Sequence, residues 1–383
     1  MPPRPPVHLR GIETAVPPTV LVQEDVRDAF ANQPELSRLT RRLVSAAFDH
    51  SGIEQRRTVI EELGSGWDGP ARFFDRETGA LLSPGTRERN ALYAEQASRL
   101  YVEVCRAALE STPGVDREDV THVITVSCTG FYAPGPDFVV ARDLDLPAGV
   151  QRYHLGFMGC YATMPALRLA KQLCEADPDA VVLVASVELC SLHLRVANDP
   201  DTVVASSLFG DGAGAAIVTT RPPAAGERTF VLDASESRTT PEGEGDMAWT
   251  IGDHGFEMVL SNAVPAIIGE HVTGALEPLL ANEPALAAAL RDGNAGEAIA
   301  HWAVHPGGRS ILDRVESALS LSPAQLAPAR ETLRDFGNMS SATILFVLRR
   351  ILDSGLAADG DRLVAMAFGP GLTVESALLT ARG

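Results

Sequence analysis

What most constrains this chain is the alternation of short, wholly apolar runs with helical periodicity. Residues 180–186 read AVVLVAS, a β-branched stretch with no polar face, which suits a strand buried on both sides. Residues 120–127 (VTHVITVS), 213–220 (AGAAIVTT) and 229–235 read as further strands, and 150–154, 299–305, 362–368 and 373–379 add more. Between them apolar residues recur at i, i+3 and i+4. This holds over 90–112, and again over 160–176, 264–280, 311–319 and 340–354. Strands alternating with helices on both sides of residue 230 predict an α/β chain of two similarly built halves, 1–230 and 231–383, with no obvious sequence repeat between them. Helical spacing also covers 23–31 and 36–51. Residues 62–86 are rich in Gly, Pro and Asp and read as loop with short helical pieces, and the Pro-rich residues 1–7 read as a loose arm.

With 383 residues and 45% apolar content, the chain can bury a large core without cross-links. Its formal net charge of −18 argues against nucleic acid as a partner, since phosphate-backbone binding needs a basic footprint. No apolar run approaches the roughly 18 residues of a spanning helix. The start, MPPRPPVHLRG, has no apolar signal region. Neither stable membrane insertion nor secretion is expected. The five cysteines, Cys105, Cys128, Cys160, Cys174 and Cys190, are odd in number and have no CxxC spacing. They suit neither a disulfide framework nor a zinc site, and the expected setting is a reducing cytoplasm where a thiol stays free.

The most informative segment is HLGFMGCYATMPALRLAKQLC, 154–174. Gly156 and Gly159 bracket a sharp turn, and a helix is expected to begin at or just after Cys160. A cysteine there meets the positive end of the helix, which stabilises a thiolate, and a strand-to-helix turn presents the sulfur to a cavity. The same turn also suits a buried, inert thiol. His305 ends the strand of residues 299–305, ahead of Pro306-Gly307-Gly308. From there it either points into a cleft or serves the core. Asn338 stands in a loop before the helix of residues 340–354, as a helix cap or as an amide donor to an oxyanion. Taken together, the three side chains can supply a nucleophile, a base and an oxyanion stabiliser.

The segments GFMGCYA, LFGDGAGAAIV, HPGGRSILDRVE, GNMSSATILFVL and FGPGLTVE follow one another in this order. Each is weak alone. Together they resemble the thiolase-fold condensing enzymes, most closely the type III polyketide synthases of the chalcone-synthase-like group, over at least residues 120–383. The resemblance implies a five-layered αβαβα fold made of two similar halves and a two-fold homodimer. The first half would carry the nucleophile and the second the His and Asn. Cys160 would carry the acyl group, and His305 and Asn338 would complete the triad. A degradative thiolase would use a second cysteine near the C-terminus, and none follows Cys190. A ketoacyl synthase III shares the triad but is shorter and usually lacks the FGPGLTVE ending.

The implied reaction loads an acyl-CoA starter onto Cys160 and extends it with malonyl-CoA by repeated decarboxylative Claisen condensation, using no metal or organic cofactor. Among matching positions, Phe209 and Phe368 would border the acyl cavity and Ser340 would lie beside it. Gly210, Asp211 and Gly212 would be structural, and Pro370 would shape the closing loop. Arg56 and Arg57 are candidates for the CoA phosphates at the tunnel mouth. Several positions depart from the plant pattern. Cys128 replaces a threonine, as is typical of bacterial members. Ala133 replaces a methionine that reaches into the partner's cavity, and Met258 stands in for an aromatic. Ser191 and Ala205 are small where the cavity wall should run. Less side-chain volume implies a longer acyl space, hence a fatty acyl starter and a pyrone or resorcinol product. Three alternatives stay open: a malonyl-only synthase of a polyhydroxylated aromatic, a single-round ketoacyl synthase III-like enzyme, and a non-catalytic acyl-CoA-binding relative.

Overall fold

In the computed structural model, which describes residues 5–64 and 66–383, the apolar runs form the strands of one large sheet. The first half begins with β1 (His8–Ala15), β2 (Thr19–Val22), α1 (Gln23–Ala31), α2 (Arg38–Asp49), β3 (Gln55–Thr58), β4 (Phe74–Asp75) and β5 (Ala80–Leu81). It continues with α3 (Thr86–Glu110), β6 (His122–Ser127), α4 (Pro136–Asp143), β7 (Gln151–Gly156), α5 (Thr163–Ala176), β8 (Val181–Leu189), α6 (Pro200–Leu208) and β9 (Asp211–Thr219). The second half opens with β10 (Thr229–Thr239), β11 (Met247–Gly252), β12 (Gly255–Leu260), α7 (Val264–Leu280), α8 (Pro284–Arg291) and α9 (Ala295–Ala298). It closes with β13 (His301–Val304), α10 (Arg309–Leu319), α11 (Pro323–Phe336), α12 (Thr343–Ser354), β14 (Arg362–Gly369) and β15 (Thr373–Arg382).

The nine-stranded sheet has the order β13-β14-β15-β10-β1-β9-β8-β6-β7. Its middle joint is slight: β1 meets β10 only at His8↔Val231 and Leu9↔Phe230. Outward from that joint, β1, β9, β8 and β6 pair antiparallel, antiparallel, then parallel. On the other side β10, β15, β14 and β13 repeat the same sequence of pairings. The two halves therefore share one plan, and β7, parallel to β6 at the edge, is the extra strand. Helix α3 covers one outer face, against β1, β8 and β9, and α7 covers the other, against β10 and β15. Between the halves lie α5, which touches β8, β9 and β15, and α12, which touches β1, β9, β13 and β14. This is the expected αβαβα layering. It also explains why β8 and β9 are buried at every position, since helices cover both of their faces.

The N-terminal arm is shorter than expected. Val7 is already buried, and its carbonyl accepts from the Leu232 N–H at 2.9 Å. Residues 1–4 of that arm lie outside the described residues. Residues 62–86 hold the small β4–β5 pair. The hairpin β11–β12 and helix α11 were not foreseen.

Candidate active site

Cys160 lies in the turn between β7 and α5, three residues before the helix begins at Thr163. Gly159 precedes it at φ +84, and a side chain there would come within 2.6 Å of the Pro370 ring. Pro370 thus packs directly on the turn, which only glycine can form. Among the described residues just four non-glycine residues have positive φ, and two of them, Phe157 and Ser340, belong to the turns around Cys160. Strained backbone of this kind tends to gather at functional sites.

Asn338 follows α11 after Gly337, which has φ +70. Its backbone is bound to the end of α6, a helix capped by Asp199 and started by Pro200. The Asn338 N–H donates to Leu208 O at 2.9 Å, and the Gly210 N–H donates to Asn338 O at 3.0 Å. Phe209 therefore runs beside Asn338 as a parallel bridge. The Asn338 side chain joins three parts of the site. Its Oδ1 accepts from the Ser340 N–H at 2.8 Å, which holds Ser340 in its left-handed conformation. Its Nδ2 donates to Gly307 O at 3.1 Å, in the turn that follows His305. The Asn338 and Ser340 side chains also stand close enough to the Cys160 thiol to lower its pKa. The Ser340 hydroxyl lies 3.3 Å from the Cys128 sulfur as well.

His305 is 1% exposed and is fixed through its backbone N–H to Met366 O at 2.8 Å. Among the described residues neither of its ring nitrogens has a hydrogen-bond partner. A buried imidazole with both nitrogens free is costly unless something else is meant to meet it. The structure thus brings Asn338 beside Cys160, and Asn338 ties it to the His305 turn. Burial raises the Cys160 thiol to about 11, while the polar groups of Ser340 and Asn338 pull it down. Helix α5 begins three residues beyond Cys160, at Thr163, so the sulfur sits a turn ahead of the helix end. Burial lowers His305 to about 3. In the unloaded site each group, taken singly, is neutral, and a proton passing from sulfur to imidazole needs their mutual attraction.

The cavity beside Cys160 is lined, among the expected residues, by Cys128, Ala205, Phe209, Met258 and Ser340. Cys190 lines it too. Its volume is about 50 Å³, against the expectation of a deep space. The reason is the unforeseen hairpin β11–β12, which brings Met247, Trp249, Phe256 and Met258 to the cavity. Phe256 stacks on His193 at 4.2 Å, and Trp249 Nε1 donates to Cys128 O at 2.8 Å. The alternating MAWTIG…GFEMVL pattern around a Gly-Asp-His-Gly turn was the available signal.

Several expected site residues stand elsewhere. Ser191 is absent from this cavity's lining, because its hydroxyl is drawn to Asp211 Oδ2 at 2.6 Å and shares a hydrogen bond with Thr58. Asp211 also accepts from the Val59 and Ser191 N–H groups, which fits its structural reading. Phe368 is 1% exposed in the main core and does not line the cavity. Ala133 is exposed on the surface of the protomer. Arg56 does not reach a tunnel mouth. It is fully buried, its Nη1 donating to Ser206 O at 2.9 Å and Phe209 O at 2.6 Å. Burial pushes its pKa down to about 10. Arg57 is partly exposed, with its Nη1 on Pro18 O at 3.4 Å. A further residue was missed. Glu188, fully buried on β8, accepts from Cys128 N at 3.0 Å, from the hydroxyls of Ser127 and Thr129 at 3.2 and 2.8 Å, and from Ser341. Its charge raises the Cys160 thiol, and no sequence motif marked it.

Comparison with known proteins bears on this arrangement. The family model for chalcone and stilbene synthases matches in two parts, the N-terminal domain over residues 4–222 and the C-terminal domain over 231–382. A bisdemethoxycurcumin synthase of Oryza sativa subsp. japonica is 32% identical, covering 97% of this chain and 91% of that one. PKS-I from the brown alga Ectocarpus siliculosus superposes with a TM-score of 0.88 at 25% identity, covering 99% of both chains. The bacterial type III polyketide synthase 1,3,6,8-tetrahydroxynaphthalene synthase from Streptomyces coelicolor A3(2) gives 0.82 at 26% identity, covering 98% of this chain and 99% of that one. Among the described residues no helix is long and apolar enough to cross a membrane.

Proposed function

The chain belongs to the chalcone and stilbene synthase family, the type III polyketide synthases, which are decarboxylating acyltransferases, and on that footing we propose that Cys160, His305 and Asn338 carry out its chemistry. An acyl-CoA enters and displaces water from the buried site. His305 takes the thiol proton as the sulfur attacks the thioester carbonyl. The C–S bond to CoA breaks, CoA leaves with that proton, and the acyl group stays on Cys160. Malonyl-CoA follows. Its thioester oxygen sits against Asn338 and His305, so that loss of CO₂ leaves a stabilised enolate. The enolate carbon attacks the acyl-Cys160 carbonyl, the C–S bond to Cys160 breaks, and the thiolate is free to take back the chain, now two carbons longer. No metal or organic cofactor enters this scheme.

One observation carries the reading: an amide, Asn338, that stands beside the buried thiol, lowers its pKa and holds the turn of an imidazole with no hydrogen-bond partner among the described residues. The starter is a fatty acyl-CoA and the product a pyrone or resorcinol. The small cavity beside Cys160 favours a second reading, a malonyl-only route to a polyhydroxylated aromatic. The enzyme works as a homodimer in the cytoplasm. The edge strand β7 supports the dimer, since its outer side pairs with no strand among the described residues and Phe131, Phe138 and Tyr153 stand exposed. Arg57, rather than Arg56, remains available to the CoA phosphates.

Product analysis tests this. Lauroyl-CoA with excess malonyl-CoA is expected to give cyclised products of several extensions, abolished in Cys160→Ala. A 3-ketoacyl thioester alone would make the enzyme single-round. Aromatic products from malonyl-CoA alone, with lauroyl-CoA ignored, would establish the second reading.

A further inference from the structure

The cavity beside Cys160 is small, about 50 Å³. A second cavity, of about 220 Å³, lies between α1, β2 and the loop that holds β4 and β5. Its wall is apolar, with Val22, Val26, Phe30, Ile60, Phe74 and Leu82 among its residues. The two cavities share Leu194 and Arg195. They are separated by a single short turn, in which Cys190 faces the first and Ser191 the second.

We propose that this second cavity receives the hydrocarbon end of a fatty acyl chain held on Cys160, passing by Leu194. The proposal rests on the fatty-starter reading given above and names where such a chain goes. Three observations point to a hydrocarbon as occupant. Apart from Asp25, which is exposed to solvent, and from Ser191 and Arg195, which are engaged elsewhere, the wall offers apolar contact. The polar groups on the dividing turn are already engaged. The Ser191 hydroxyl is bound to Asp211 and Thr58, and the Leu194 carbonyl accepts from Arg89 at 3.2 Å. Arg195 is drawn to Glu257 at 2.9 Å. What remains across the passage is the Leu194 side chain, partly exposed and packed on the cluster that contains Phe30 and Val203. At the far end Val22 and Leu82 are exposed, 46% and 36%, so the cavity opens to solvent and sets no fixed limit on chain length.

The test uses lauroyl-CoA with a diazirine on its terminal carbon. After loading and photolysis, the peptides joined to the chain end are mapped. Attachment within residues 20–30 or 60–82, together with a thioester on Cys160, is the expected result. A thioester on Cys160 with attachment confined to residues 247–260 would overturn the second-cavity assignment and leave the fatty-starter reading standing. No acylation by this probe or by plain lauroyl-CoA would overturn both. Leu194→Trp and Leu194→Ala give an independent readout, the ratio of lauroyl to butyryl loading. Each buried methylene is worth roughly fourfold, the equivalent of about 0.8 kcal/mol. Blocking several of them with tryptophan is expected to lower the ratio tenfold or more, and alanine to raise it. A ratio unchanged in both variants would refute the passage. Should neither variant fold, the photolysis on the unaltered protein decides.

Discussion

Replacing Asn338 with alanine separates a structural brace from a chemical one. The side chain is 2% exposed and holds the buried Ser340 N–H and the half-buried Gly307 carbonyl. Leaving the first without a partner costs about 1–3 kcal/mol and the second less, so about 2–4 together. For a chain of 383 residues the unfolding entropy makes 1 kcal/mol worth about 1 °C, so Tm should fall by about 2–4 °C. A brace would do only that. The amide also stands close enough to the Cys160 thiol to lower its pKa, so its loss must move thiol ionisation to higher pH. The assay is iodoacetamide alkylation of Cys160 as a function of pH, followed by peptide mass. The profile is expected to shift upward in Asn338→Ala and further in Asn338→Asp, which adds a negative charge beside the sulfur. Malonyl-CoA decarboxylation should drop about 10²–10³-fold, as for loss of an oxyanion donor, and acyl loading much less. A lowered Tm with an unmoved alkylation profile, or equal damage to both steps, would refute this role.

Arg56→Met removes two charge-assisted bonds to the carbonyls that end α6, at about 1.5–3 kcal/mol each, partly offset because no charge is then buried. A net loss of a few kcal/mol is expected, with Arg56→Lys restoring part of it; a Tm equal to wild type would contradict the bracing role. His193 and His305 are both held neutral by burial, at about 3 against an ordinary 6.5. The unfolded chain takes up these protons first, so stability should fall as pH drops from about 6.5 towards 3, by an amount on the order of 5 kcal/mol per histidine. Asp211, raised by burial to about 6, works the other way between that value and its ordinary 3.8, and offsets part of the loss. Urea unfolding at stepped pH checks this, and flat stability from pH 6.5 to 4 would contradict it. Cys160 adds a loss on the alkaline side between about 9 and 11, absent in Cys160→Ala, because the folded chain holds that proton longer. Tyr153→Asp on β7 should weaken the proposed homodimer, read by sedimentation, and a dimer as tight as that of the unaltered protein would place the interface elsewhere.

How much of this was legible in the sequence depends on where each signal lies. β8 and β9 could be read because strands covered on both faces must be apolar throughout. The three turns that carry Cys160, His305 and Asn338 could be read because Gly159, Gly307 and Gly337 punctuate them, and the family could be read from five ordered segments. Tertiary effects hid the rest. Arg56 and Arg57 are adjacent and alike as letters, yet strand alternation in β3 buries one and leaves the other partly exposed. The small residues Ser191 and Ala205 suggested one space, but Ser191 faces the second cavity, and the β11–β12 hairpin, from far along the chain, lines the cavity that Ala205 borders. Helix α11 carries Pro328 inside it, which masks its periodicity. Glu188 stands in a strand whose other members are apolar or small, and only the fold shows the four donors that converge on it.

The central claim is that one sulfur among five carries the growing chain. Peptide mapping after a brief incubation with acyl-CoA, without malonyl-CoA, tests it most directly. A single thioester on the peptide containing Cys160 is the predicted result. Acyl groups on Cys128 or Cys190, which line the same cavity, with Cys160 left free, would contradict it.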